Sequence, residues 1–428
     1  MRVAFVTVLA SLVSSAEALS SSSQQQQSLK FALQQCLSPQ DVLQRVACEL
    51  SPQTDPDGSI ASLVLVRLAK QIISLDNQNH YAQHDGSQWK REAWNSNNEK
   101  AWKQTCSVLA NRSMMEPTGI TIPWTPLQLE SAVDGLKAAS IISRVLPETS
   151  SSGLWSPLLA SWEEQALKIH TELVSHQLTG IKWAYDTFAL HMQEATLPTV
   201  LHKRYEDLKI PFRIIPACLK NDVPELSIPN LVNQVDFSVD QIKTISNEIV
   251  AERRQTAWEG DEGVIPFSYS GKSMPTRSWS PLVQAVRDCL VTRTGQYYNG
   301  CLLNLYPDGG SGMRYHSDPD QGTLWDYATV VVSVGATRKF AFRDIPSESD
   351  KSIHQPNSRH QRKQQQQQQP HNFVVMEGDV TEMLNDCQIR FQHTVKTADD
   401  KNDEAARASM VFKRTRIKSE GTTPVAFT

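Results

Sequence analysis

Apolar residues recur at helical spacing through the first half of the chain. Leu127, Leu129, Val133 and Leu136 form one set. Leu158, Leu159, Trp162, Ala166, Ile169 and Leu173 form a second, and Leu178, Ile181, Ala184, Tyr185 and Phe188 a third. Steps of three and four residues put each set on one side of a helix. Pro126 and Pro157 stand near the starts of the first two, where a missing N–H costs little. Residues 31–200 are therefore expected to form an all-α domain. Asp76 to Asn98 is polar and aperiodic and reads as a loop or mobile insert.

From about Ile210 the pattern changes. Prolines at 211, 216, 224 and 229 break up the chain. Val239 to Arg253 reads as one amphipathic helix, with Ile242, Ile245, Ile249 and Val250 on one side. Trp279 to Leu290 reads as another, with Val283, Val286 and Leu290 inward. Short apolar runs follow: Cys301–Leu305, Ala328–Val334, Lys339–Phe342, Phe373–Met376 and Ala408–Lys413. Turn residues separate them, a rhythm that predicts an antiparallel sandwich or barrel. Ser347 to His371 interrupts the runs with a polar tract that includes Gln364–Gln369, compositionally a disordered loop. The fold class is α+β, and residues 417–428 are a tail.

Composition narrows the function classes. The 428 residues carry a net charge of −4, so any surface for nucleic acid must be a local one. The seven cysteines are odd in number and lack a CxxC pair, which argues against a disulfide framework or a structural zinc site. Ala4 to Val13 is a short apolar run followed by Ala16-Glu17-Ala18, which has the form of a signal-peptidase site. The Ser- and Gln-rich tract from Leu19 to Gln35 suits a transit peptide. Residues 1–30 are expected to direct the chain to a plastid, with nucleus and mitochondrion as alternatives. No run is long enough for a membrane anchor. A monomer is expected.

The chemistry gathers around Arg314-Tyr-His-Ser-Asp-Pro-Asp320. His316 and Asp318 are two apart, so on a strand an imidazole and a carboxylate share a side. His393 is the best candidate for a third ligand from a distant strand. Two histidines and one carboxylate leave open positions on a metal, an arrangement that favours Fe(II) oxygenases. A dicarboxylate cosubstrate needs a cation at its far end, and Arg407 supplies a planar fork. Asn304 and Tyr306 can hydrogen-bond the same ligand.

Taken together, Asn304-Leu-Tyr306, His316-x-Asp318, Ser333-Val-Gly-Ala-Thr-Arg-Lys-Phe-Ala-Phe-Arg343, His393 and Arg407 resemble the AlkB family of nucleic-acid dealkylating dioxygenases, most of all its eukaryotic DNA-repair branch. Tyr269-Ser-Gly271, Trp279 and Arg287-Asp288 are similar too. The resemblance covers about residues 205–416 and implies a double-stranded β-helix (jelly-roll) domain. It implies Fe(II) on His316, Asp318 and His393, 2-oxoglutarate on Asn304, Tyr306 and Arg407, and O2 as oxidant. It places Asp320 and Tyr269 against the target base of a DNA or RNA partner, single-stranded or flipped. The implied activity is oxidative demethylation of N-alkylated bases. Two features depart from the family. Its second arginine, which would also bind 2-oxoglutarate, is replaced by Lys413, or by Arg414 beside it if the strand shifts, and Val411 stands where a hydroxyl residue is common.

Two other readings share these residues. The same chemistry would serve a protein or another small substrate, since the fold alone does not choose. Leu178-Thr-Gly-Ile-Lys-Trp-Ala-Tyr resembles a helix of organellar helical-repeat RNA-binding proteins, which would make the dioxygenase domain an accessory. The simpler alternative is an ordinary helical domain with Trp162 and Trp183 in its core.

Overall fold

The computed structural model describes residues 26–36, 38–50, 59–82, 90, 96–110, 126–243, 246–345, 369–400 and 403–416. Residues 1–25, where a targeting segment is expected, the Gln-rich tract through residue 368 and the stretch from residue 417 lie outside the described residues. The chain divides into two compact units: Met1–Asp76 with Asp85–Leu173 and Ala184–Arg204, and Asn77–His84 with Val174–Trp183 and Tyr205–Thr428.

The helices before residue 210 are α1 (Pro39–Glu49), α2 (Ser59–Ala82), α3 (Ser96–Ala110), α4 (Pro126–Val145), α5 (Glu148–Ser151), α6 (Ser156–Ile169), α7 (Ser175–Phe188) and α8 (Thr199–Asp207). Their starts follow local chemistry. Ser38 caps α1 by accepting from the Asp41 N–H, and the Asp41 carboxylate reciprocates on the Ser38 N–H. In the first unit the Trp155 ring meets Trp102 edge-on at 6.4 Å and Phe188 at 6.1 Å. Its indole N–H donates to the Thr149 hydroxyl at 2.9 Å, so the buried ring leaves no donor stranded. Trp162 is buried in the first unit, whereas Trp183 is buried in the second, where its ring meets Phe373 edge-on at 6.2 Å.

The polar stretch from Asp76 is not a loop at its ends. Helix α2 runs on to Ala82 and α3 begins at Ser96; residues 83–89 and 91–95 lie outside the described residues. Within the second unit, the Asn77 amide accepts from the Thr337 N–H at 2.9 Å and donates to Asp403 at 3.3 Å. Tertiary partners hold a residue here that periodicity alone leaves unassigned.

The second unit carries the strands. They are β1 (Phe212–Ile215), β2 (Gln241–Lys243), β3 (Ile249–Ala251), β4 (Gln255–Gly260), β5 (Phe267–Tyr269), β6 (Lys272–Met274), β7 (Gly300–Tyr306), β8 (Met313–His316), β9 (Thr329–Gly335), β10 (Arg338–Asp344), β11 (His371–Val375), β12 (Val380–Met383), β13 (Phe391–Val395) and β14 (Arg407–Lys413). One antiparallel sheet has the order β1-β12-β9-β14-β7-β4 and the other β11-β10-β13-β8. Rings from both meet: Phe212 of β1 stacks on Phe342 of β10 at 3.8 Å.

The larger sheet has two unlike sides because side chains alternate along each strand. Leu303, Leu305, Val330, Val332, Val334, Ala408, Met410 and Phe412 form one side. They pack on helix α9 (Ile228–Gln234) through Leu231 and on α10 (Pro281–Thr294) through Leu282, Val283, Val286 and Leu290. Pro near the start of α10 and left-handed Gly295 at its end (φ 67°) bound that helix. The other side carries Asn304, Tyr306, Ser333, Arg407, Ser409 and Lys413, all buried.

Two expectations need correction. Val239 to Arg253 is not a helix. Strands β2 and β3 pair as a hairpin, with Ile242 opposite Val250. Asn247 adopts a left-handed conformation (φ 63°) inside the stretch, which a continuing helix cannot accept. Ile249 is 69% exposed, so the apolar spacing marked no buried face. The Gln-rich insertion also stops short of His371, which is buried as the first residue of β11. Its ring accepts or donates at 2.8 Å with the Thr179 hydroxyl.

Gly300 tests this packing. A Cβ there would come within 2.4 Å of the Trp258 ring. Gly300→Ala should destabilise the protein by about 1–3 kcal/mol, the usual cost of overpacking. Thermal unfolding should show a midpoint lower by roughly 2–4 °C per kcal/mol; an unchanged midpoint would mean that Trp258 is free to move aside.

Candidate metal and cosubstrate site

Strand β13 lies between β10 and β8, and its register sets His393 directly opposite His316. The two rings are 4.3 Å apart. Strand β8 ends at His316, so Asp318 is not on the strand as expected but two residues beyond it. Pro319 follows and has no N–H to continue a ladder. The Asp318 N–H donates instead to the Gln388 side chain at 3.0 Å. One ligand atom from each of His316, Asp318 and His393 lies within 4.8 Å of the others. Both imidazole Nε2 atoms are 3.6 Å from Asp318 Oδ1. His316 Nδ1 is 2.9 Å from the Arg314 carbonyl, a partner that requires the proton on Nδ1 and leaves Nε2 as a lone-pair donor.

Burial sets the charges. Burial first, then the neighbouring His316 and Lys413, push the His393 imidazole down to about 3 despite the opposing Asp318 carboxylate. The ring therefore stays neutral, as a ligand must. Burial pushes the Asp318 carboxyl up, but Lys413 and the two imidazoles hold it well below the usual carboxylate range. Phe340 stacks parallel to the His393 ring at 5.8 Å and Phe342 lies 6.2 Å from it, an apolar wall beside the ligand.

A second group sits on the polar side of the larger sheet. Arg407 pairs in register with Tyr306, and Ser409 with Asn304 and Ser333. The Arg407 guanidinium is completely buried and donates to the hydroxyls of Ser409 and Ser333. Its Nε and the Asn304 side-chain oxygen have no hydrogen-bond partner. Among the described residues no carboxylate lies within ion-pair distance of Arg407. Burial pushes its guanidinium down to about 10, so it remains charged near neutral pH. A buried cation without a counter-charge is costly. The carboxylate of a dicarboxylic ligand fits this place by charge and by donor set.

The other expected residues fall in different places. Lys413 reaches Asp318 itself, donating to Oδ2 at 2.6 Å. Arg414 is not brought to the cluster; its guanidinium points away and donates to Asp326. Tyr269 donates its hydroxyl to Glu252 at 3.0 Å, with Lys272 4.8 Å and Arg254 5.4 Å from its ring centre. Asp320 is exposed and left-handed (φ 59°), and its carbonyl accepts from the N–H groups of Thr323, Leu324 and Trp325.

Sequence reasoning missed Ser333, Ser409, Gln388 and Thr329. For Ser409 a signal existed. Counting by two from Arg407 gives Ser409, Val411 and Lys413 on one side, so the hydroxyl sits at 409 rather than at 411.

Residues 211–418 match the family model described as the 2OG-Fe(II) oxygenase superfamily. The DNA oxidative demethylase ALKBH2 of Homo sapiens is 33% identical over 146 residues, 34% of this chain and 55% of that protein. The alpha-ketoglutarate-dependent dioxygenase alkB homolog 3 of Bos taurus is 29% identical over 167 residues, 37% of this chain and 57% of that protein. The C-terminal half of the chain is thus similar to AlkB-like dioxygenases of the 2OG-Fe(II) oxygenase superfamily. The family implies Fe(II), 2-oxoglutarate and O2, and the His–Asp–His cluster and the Arg407 pocket have donors suited to the first two. The chain spans about half the length of the human and bovine relatives it matches. No helix among the described residues is long and apolar enough to cross a membrane.

His393 gives a pH test on protein stripped of metal. The folded imidazole stays neutral to about pH 3, whereas the ordinary value is 6.5. Between those values the unfolded chain binds a proton that the folded chain does not. The associated stability is complete above 6.5 and is lost as pH falls toward 3. Denaturant unfolding between pH 7 and 4 should therefore show a steeper loss in wild type than in His393→Asn. Equal slopes would contradict a buried neutral ring.

Proposed function

We propose that this domain, residues 205–416, removes N-alkyl groups from bases of nucleic acid by Fe(II)- and 2-oxoglutarate-dependent oxidation. The observation that carries the reading is the His316–Asp318–His393 cluster together with a buried arginine that has no carboxylate of its own. The names of the relatives, a DNA oxidative demethylase among them, support nucleic acid as the substrate class. The reading takes the two sheets as a double-stranded β-helix, the helical residues before it as a separate all-α domain, and the enzyme as a monomer.

His316 and His393 offer imidazole Nε2 atoms and Asp318 a carboxylate oxygen to the metal. Arg407, with Ser333 and Ser409 fixing its fork, binds the far carboxylate of 2-oxoglutarate; Asn304 and Tyr306 flank it. Bound there, Fe(II) with 2-oxoglutarate would supply O2-dependent hydroxylation of the N-alkyl carbon, one oxygen atom going to that carbon and the other to succinate, with loss of CO2. The hydroxylated carbon then leaves the base nitrogen as an aldehyde. Phe340 and Phe342 keep water from the buried side of His393. Tyr269 and Asp320 contact the target base, which must be single-stranded or flipped to reach the site.

The test is a panel of 1-methyladenine and 3-methylcytosine oligonucleotides, DNA and RNA, beside methylated peptides, with Fe(II), ascorbate and 2-oxoglutarate. Wild type should form succinate, aldehyde and repaired base on nucleic acid, and Asp318→Ala should form none. Turnover of the peptides alone would move the substrate to protein, and no turnover on any would overturn the reading. Arg407→Met should raise the KM for 2-oxoglutarate about 10- to 100-fold, the loss of a charge-assisted hydrogen bond of about 1.5–3 kcal/mol. An unchanged KM would remove Arg407 from the cosubstrate pocket.

A further inference from the structure

Lys413 is 1% exposed, at the end of β14. Its ammonium has three protons to place. One goes to Asp318 Oδ2 at 2.6 Å and one toward the Thr329 hydroxyl at 3.4 Å. With the Gln321 amide turned so that its nitrogen donates to the Asp326 carbonyl, its oxygen accepts the third at 2.6 Å. No proton is left for a further ligand. Arg407 shows the opposite condition, with a buried Nε that has no partner.

The two carboxylate oxygens of Asp318 are thereby divided. Oδ2 is taken by Lys413, while Oδ1 stands 3.6 Å from Nε2 of both His316 and His393. We propose that Lys413 is a positioning residue for the metal ligand Asp318, holding its carboxylate so that Oδ1 alone faces the metal, and that it does not bind 2-oxoglutarate. The proposal rests on the metal reading above. It gives the lysine a task that a compact point charge performs well: one short bond to one oxygen, with a hydroxyl and an amide absorbing the remaining protons. It also explains how a fully buried ammonium is tolerated, since its counter-charge is part of the site.

The test measures metal binding without cosubstrate. Mn(II) is titrated into the metal-stripped full chain and followed by electron paramagnetic resonance. Lys413→Met should weaken Mn(II) binding about 10- to 100-fold, the usual effect of losing a group that orients a ligand. At saturating metal its KM for 2-oxoglutarate should stay within about twofold of wild type. Lys413→Arg should recover most of the Mn(II) affinity. Lys413→Gln keeps a donor without the charge and should weaken Mn(II) binding in the same direction, which covers the case of a methionine variant that does not fold. Unchanged Mn(II) affinity with a raised KM for 2-oxoglutarate would overturn the proposal and return Lys413 to the cosubstrate. A wild type that binds no Mn(II) would overturn the metal site and this role with it, an outcome that the three variants' ratios cannot imitate.

Discussion

Strand β14 is bonded along both edges, to β7 on one side and β9 on the other, and its register there decides which side chains meet. Arg407 lies level with Tyr306, and Ser409 level with Asn304 and Ser333. Because side chains alternate, a slip of one residue would send Arg407 and Lys413 into the layer formed with α9 and α10 and bring Met410 and Phe412 into the site. Neither outcome is tolerable: one strands two cations in apolar packing, the other puts apolar bulk where donors are needed. The apolar side of the sheet thus enforces the geometry of the polar side. The smaller sheet applies the same rule when β13 sets His393 against His316.

This rule also marks what was legible in the sequence. The five apolar runs after residue 300 became β7, β9, β10, β11 and β14, since a buried strand needs such a run. His316, Asp318, His393 and Arg407 stood out because their residue types are costly to bury without purpose. Ser333, Ser409 and Thr329 did not, because a small hydroxyl is cheap anywhere and only register gives it a partner. The hairpin β2–β3 was mistaken for a helix because Ile242, Ile245, Ile249 and Val250 fit a helical period by chance in a segment with no buried face; β-branched residues suit a strand equally well. Asp318 beyond the end of β8 could not be read from a two-residue spacing, which is the same for a strand and for an extended loop.

Lys413 and Arg407 stand six residues apart on the same side of β14, and the protein treats their charges differently. Lys413 is neutralised within the chain, by the carboxylate that it also orients. Arg407 has hydroxyls but, among the described residues, no carboxylate within ion-pair distance. Hydroxyls satisfy donors and fix direction, yet they leave the net charge of a guanidinium in place. Its depressed affinity for the proton, down to about 10, records that unbalanced burial.

That asymmetry bears on selectivity. A ligand that enters near Arg407 gains most if it brings one negative group to that end, because the cation has already lost its water. At the Asp318 end the arrangement is reversed. The carboxylate and Lys413 cancel, and burial keeps the His393 ring neutral, so the charge of a divalent metal is met by little local positive repulsion. The site is therefore prepared for a cation at one end and an anion at the other, with Asn304 on the sheet between the two ends and its oxygen unpaired. A molecule that both chelates a metal and carries a distant carboxylate satisfies the two ends at once. A monoanion lacking either function satisfies only one, and leaves the other buried charge as it was.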